Sequence, residues 1–297
     1  MTTSVATVST WERVQLGHAA LQWLAERAGI QVLHLKGPAL DATLTRGPRL
    51  STDADIWVRP SRIRDFVAAL DTYEWSRVTD FGDGSPFEHA STWLHPAWGY
   101  VDVHRRFPGM RDGEETFDRL WADHTLTDIA GRACPVPSLT AQRLILMLHA
   151  ARGDSPRAAG DMDLAWAEAD PEMRHEIREL VADLGAEVGF AAAMGHLDAV
   201  RDRPEWALWA AFTRHGSRLG EWRGRFVAAR GCRAKAGVLV RSLRVNRAHL
   251  EMDRGRPLSR GELVGAYVAR LRRAAGELAS TVRDRAITRR GEQEDRR

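Results

Sequence analysis

The segment Thr52–Val58, TDADIWV, reads as a β-strand and places Asp53 and Asp55 two positions apart. Successive strand residues project to opposite faces, so these two carboxylates share one face, about 7 Å apart at their Cα atoms. Such a face cannot be sealed against an apolar layer unless something answers the charge. The pattern returns at residues 100–104, YVDVH, where Val101 and Val103 point one way and Tyr100, Asp102 and His104 the other. A third carboxylate therefore lies on a strand face.

The segments around these strands fix their order. Apolar residues Val14, Ala19, Leu21, Leu24 and Ala25 keep a helical spacing over residues 11–28, and Gly29 follows as a stop. Residues 31–35 read as a short strand running into Lys36-Gly37-Pro38, after which 39–44 are expected to be helical, a geometry suited to a phosphate-sized nest. A helix is expected from Pro60-Ser61 to about Asp71, then strands over 75–79, 87–94 and 99–107, and a hairpin over 124–136. From Ser138 the spacing turns helical, with helices expected at 138–152, 160–169, 171–184, 186–200, 204–215, 217–230, 233–250 and 260–284. This order predicts an α+β fold: a sheet-containing unit over residues 1–137, an α-helical unit over 138–290, and a disordered tail at 291–297.

A chain of 297 residues can bury a sizeable core, and no apolar run approaches the roughly 20 residues that cross a bilayer. The run MTTSVATVSTWERV lacks a basic region followed by an apolar stretch, so a cytoplasmic protein without membrane association is expected. Cys134 and Cys232 are too few for a disulfide framework and are expected to be buried thiols. Residues 1–200 hold 19 Lys+Arg against 29 Asp+Glu, whereas residues 201–297 hold 24 against 11. The basic portion carries no helix-turn-helix, zinc-finger or RNP-like signature, so solvated helix faces are favoured over nucleic-acid binding. Only Lys36 and Lys235 are lysines among 43 basic residues, which draws attention to Lys36 beside its glycine.

Three carboxylates on neighbouring strands do not all ionise in a dry site without a counter-charge, and one or two Mg²⁺ ions are the expected solution. A site of that kind suits phosphates, with a third acid able to hold metal or accept a nucleophile's proton. Asp53, Asp55 and Asp102 fit those roles.

The run LHLKGPALDATLTRGPRLSTDADIWV, residues 33–58, with GYVDVHRRF at 99–107, resembles the uncharacterised nucleotidyltransferase family of the polymerase-β-like superfamily. LMLHAAR at 146–152 and Asp161-Met162-Asp163-Leu164 resemble the family's following helical region with weaker motifs. The resemblance implies a polymerase-β-like domain with a mixed sheet, followed by an α-helical domain that holds the acceptor, with the active site in the cleft between them. It implies that Lys36 and Gly37 hold the triphosphate, and that Asp53 and Asp55 bind Mg²⁺ with Asp102 completing the triad. The implied reaction moves a nucleoside monophosphate from a nucleoside triphosphate, ATP being the expected one, to a small-molecule or peptide acceptor, with release of pyrophosphate. The superfamily usually has Gly-Ser or Gly-Gly at the turn; Gly37-Pro38 removes one backbone N–H from the cradle, a loss that Lys36 is expected to offset. Phosphoryl transfer, a non-catalytic binding role and RNA modification are the alternatives.

Other residues are weighed against plainer roles. Arg49, ahead of Arg46, is expected to reach a phosphate from between the turn and the acids, although chance placement competes in a chain with 41 arginines. His104 shares the face of Asp102 and either orients it or is a satisfied buried histidine. Asp161 and Asp163 either approach the site or face water near a helix start. Trp57 lies on the same face as the paired acids, where it could stack on a base.

Overall fold

The computed structural model describes residues 8–47, 51–82, 87–153, 157–214, 217–229, 231–245, 247–254, 256–273 and 275–276. The chain divides into two compact units, Met1–Val200 and Arg201–Arg297. The boundary expected at 137/138 lies inside the first unit, and the expected tail at 291–297 lies outside the described residues.

In the first unit, α1 (Thr10–Ala28) begins at a capping box in which Ser9 and Glu12 exchange backbone and side-chain bonds, and it stops where Gly29 turns left-handed. The strands β1 (Val32–Leu35), β2 (Asp53–Val58), β3 (Ser76–Arg77), β4 (Ala90–His95) and β5 (Gly99–His104) form one sheet in the order β1-β2-β5-β4-β3. Its central pair, β2 with β5, is parallel, and every other pair is antiparallel. Between β2 and β3 lies α2 (Ile63–Thr72).

One face of this sheet forms a core with α1 and α2. Val32, Ala54, Ile56, Val58, Trp93, Val101 and Val103 cluster with Leu21, Leu24, Phe66 and Leu70. Complete burial of such aliphatic side chains is worth roughly 1.5–3 kcal/mol each, which pins the register of β2 and β5. A slip by one residue would push the carboxylates into that core. The apolar face therefore fixes which way the acidic face looks.

Covering elements follow on the other side. Trp57 packs against Phe107 and against Phe117 of α3 (Glu114–Ala122), with ring centroids 6.2 and 6.1 Å away. The hairpin of β6 (Thr125–Ile129) and β7 (Arg132–Val136) contributes Ile129, Cys134 and Val136 to a cluster with Ala39. Next, α4 (Leu139–Ala150) is buried almost all round, as its apolar composition requires. Gln142 ties its first turn to the segment after β1, accepting from the Asp41 N–H at 2.7 Å and donating to the Pro137 carbonyl at 2.8 Å. The unit ends with α5 (Ala158–Met162), a π-helical turn at Asp163–Ala167, α6 (Pro171–Asp183), α7 (Glu187–Ala193) and a 3-10 turn at Leu197–Val200.

The second unit contains α8 (Trp206–Thr213), α9 (Arg218–Ala228), α10 (Cys232–Leu243), α11 (Arg247–Arg254) and helical residues 260–273. Gly224 lets α9 approach α8 closely, since a Cβ there would stand 2.7 Å from the Leu208 Cα. Among the described residues, no helix is long and apolar enough to cross a membrane.

Several expectations change. The helix expected at 39–44 is two 3-10 turns, Gly37–Ala39 and Ala42–Leu44, because Leu40 is extended between them. The helix expected at 233–250 breaks where Arg244 becomes extended. Cys232 is exposed, not buried, while Cys134 is buried as expected.

Candidate active site

In the parallel pair, Asp53 stands beside Tyr100, Asp55 beside Asp102, and Trp57 beside His104. Parallel partners in register project to the same side, so all three carboxylates occupy the face opposite the α1/α2 core. Asp55 is at the centre and only 3% exposed.

Both oxygens of Asp55 are engaged. Lys36 Nζ lies 2.8 Å from Oδ2, and His104 Nε2 lies 2.7 Å from Oδ1. Burial pushes the Asp55 carboxyl up, but Lys36 and His104 together outweigh it and hold it well below the ordinary carboxylate value. His104, 1% exposed, is itself lowered by burial despite its carboxylate partner. It is accordingly the neutral Nε2–H tautomer, assigned from that bond, with a buried Nδ1 that has no hydrogen-bond partner. His104 thus orients Asp55 rather than Asp102.

The outer two acids behave differently. Burial first, and then the charges of Asp55 and Asp102, raise Asp53 to about 6. Burial and Asp55 likewise raise Asp102 to about 6, although its Oδ1 accepts a 2.7 Å bond from Thr92 Oγ1. Asp55, Asp102 and His104 can bring one ligand atom each to within 4.8 Å of one another. Asp55 and Asp102 supply carboxylate oxygens of the kind hard divalent cations require, so these two fit Mg²⁺, whereas Asp53 lies outside this group of potential ligands.

Lys36 adopts φ 55° and ψ −169°, a sparsely populated region for a residue with a Cβ, at a cost of about 1–3 kcal/mol. Gly37 follows at φ 47°, and a Cβ there would meet Ser51 Cβ at 3.2 Å. Ser51 in turn donates to the Asp53 carbonyl at 2.8 Å. The tight turn thus holds the Lys36 backbone close to the start of β2, and Pro38 is accommodated at the first positions of the 3-10 turn.

Arg49 lies outside the described residues. Arg46 pairs with Glu168 instead of joining the carboxylates. Asp161 is buried in α5, Asp163 is exposed, and neither belongs to the potential metal-ligand group. Trp57 is 1% exposed and enclosed by Phe107 and Phe117, so it has no face to offer a base.

The site is thus a mixed sheet bearing three carboxylates on one face, flanked by helices and preceded by a Lys-Gly turn. The chain belongs to the family described as uncharacterised nucleotidyltransferase, whose model matches residues 11–201, nearly coextensive with the first compact unit. It is an enzyme of the nucleotidyltransferase class. No curated protein matches the chain. Among solved structures, a lincosamide antibiotic adenylyltransferase, LnuA, with lincomycin bound is 17% identical, covering 52% of this chain and 96% of that one at a TM-score of 0.37. ANT(2'')-Ia in complex with adenylyl-2''-tobramycin is 15% identical, covering 63% and 98% at a TM-score of 0.36. A nucleotidyltransferase-like protein from Paracoccidioides brasiliensis is 15% identical, covering 67% and 100% at a TM-score of 0.36.

Proposed function

We propose that this enzyme transfers a nucleoside monophosphate from a nucleoside triphosphate, ATP being the expected one, to a small-molecule or peptide acceptor, with release of pyrophosphate. The observation that carries this reading is the shared face of Asp53, Asp55 and Asp102 beside Lys36, in a chain of the nucleotidyltransferase family.

In this reading Asp53, Asp55 and Asp102 hold Mg²⁺. When bound, the ion supplies charge neutralisation for the triphosphate and its leaving group. Asp55 is kept ionised by Lys36 and His104 and fixed in direction by His104, so its binding geometry is set before substrate arrives. Lys36 leaves Asp55 for a phosphate oxygen, and Gly37 leaves room for close approach to the turn. Arg49 joins Lys36 on the phosphates.

The acceptor's hydroxyl or amine attacks the α-phosphorus, a new bond forms there, and the bond from the α-phosphorus to the α,β-bridging oxygen breaks. Pyrophosphate departs with that electron pair. Because Asp102 Oδ1 is held by Thr92, its Oδ2 is the oxygen left for the ion, and the acceptor's proton passes to solvent water.

Incubation with α-labelled and γ-labelled triphosphate, Mg²⁺ and a panel of acceptors tests the reading. Label entering the acceptor from the α-position with pyrophosphate as co-product is expected. Label entering only from the γ-position would replace nucleotidyl transfer by phosphoryl transfer.

A further inference from the structure

Just beyond α4, Arg152 carries its guanidinium onto the acid-bearing side of the sheet. The group lies over Phe107 at 5.3 Å and over Phe87 at 5.8 Å. Phe107 in turn stacks on His104 with centroids 6.1 Å apart, which places Arg152 beside the ring that orients Asp55.

Its polar contacts are incomplete. Nη1 donates to His89 Nε2 at 3.1 Å, and Nε is sealed from solvent without a hydrogen-bond partner. Burial drives His89 well below its ordinary value, so it is a neutral acceptor and supplies no countercharge. Among the described residues, Arg152 forms no ion pair, although Asp55 and Asp102 are near enough for their charges to act on it. A guanidinium is built for forked binding to carboxylate or phosphate, and a desolvated one without an anion is costly. An anionic oxygen is what this arrangement lacks.

We infer that Arg152 is a phosphate-binding residue, directing its guanidinium at the polyphosphate of the substrate and of the departing pyrophosphate, with His89 as its positioning residue. The assignment rests on the nucleotidyl-transfer reading and deepens it. The two carboxylate-bearing strands deal with the cation, while the end of α4 deals with the anion. The alternative role, a fixed counterweight to the aspartates, differs in sign: losing a counterweight favours cation binding without weakening the anion.

The test uses the full chain with Arg152→Met and Arg152→Lys, two probes, and thermal melting to establish folding. Pyrophosphate binding is measured with Mg²⁺ present, and Mn²⁺ binding is measured alone. Arg152→Met is expected to weaken pyrophosphate about tenfold or more while Mn²⁺ binds at least as tightly as to the parent. Arg152→Lys retains the charge and loses the fork, so an intermediate loss is expected, and this variant carries the test if the Met variant does not fold. Pyrophosphate affinity equal to the parent's in either folded variant would overturn the assignment, as would parallel weakening of both probes. If the parent transfers α-label while the variants bind pyrophosphate normally, only the Arg152 assignment falls. A parent that binds neither probe and transfers no label overturns the transfer reading, and the role of Arg152 with it.

Discussion

Lys36 Nζ lies 2.8 Å from Asp55 Oδ2, so the single lysine of the first unit neutralises the innermost of three carboxylates. This pairing answers charge that a divalent cation would otherwise answer, and the lysine competes with the ion. Lys36→Met is expected to tighten Mn²⁺ several-fold at pH 8 while weakening triphosphate binding about tenfold. Calorimetric titration of each ligand checks both directions, and a loss of both would show that Lys36 mainly supports the turn.

His104 holds the other oxygen of Asp55. Removing an oriented donor behind a metal-binding carboxylate commonly costs 10–100-fold in metal affinity, and His104→Phe is expected to fall in about that range. His104→Gln keeps a side-chain N–H and is expected to recover part of it. Mn²⁺ titration followed by electron paramagnetic resonance gives the comparison.

Asp53 and Asp102, both raised to about 6, make the metal-free fold sensitive to pH. A carboxyl whose folded value exceeds its unfolded value favours the folded state when protonated, so stability is lost as pH rises from about 4 through 6. Asp102→Asn removes that titration while keeping an acceptor for Thr92. The variant is expected to be more stable than the parent by roughly 1–2 kcal/mol at pH 8 without metal, and the gap should close near pH 4. Urea unfolding across that range measures it, and added Mg²⁺ should favour the parent.

On the opposite sheet face, His18 Nδ1 and His34 Nδ1 are 2.8 Å apart, so one ring donates and the other accepts. Burial lowers His18 to about 4. A depressed histidine contributes stability above its unfolded value near 6.5, and that contribution disappears as pH falls from there through about 4. His18→Leu leaves the His34 nitrogen unpaired, costing about 1–3 kcal/mol at pH 7.5, with a smaller deficit at pH 5. Thermal melts at the two pH values distinguish this from a uniform packing defect.

The placement of the three carboxylates was legible because strand alternation is local: Ala54, Ile56, Val101 and Val103 declare the apolar face, and the acids occupy the other. Their partners were not. The 2.8 Å contact from Lys36 depends on a left-handed turn, and the assignment of His104 to Asp55 rather than Asp102 depends on a parallel pairing of distant segments. Sequence reasoning also passed over α3, although Glu114 and Glu115 in its first turn with Phe117 and Leu120 behind them supplied a helical signal. The glycine- and proline-containing run before it masked that start. Arg152 closes the LMLHAAR run, which resembles the family's helical region, but nothing in that run points to a phosphate, since its importance comes from α4 delivering it beside His89 and Phe107.

The most direct measurement is Mn²⁺ binding to the parent and to Asp53→Asn, Asp55→Asn and Asp102→Asn under identical conditions. The shared-face arrangement predicts that each substitution weakens the same site by about tenfold or more, with folding retained. Undiminished Mn²⁺ affinity in folded Asp102→Asn would contradict a metal site built jointly by β2 and β5.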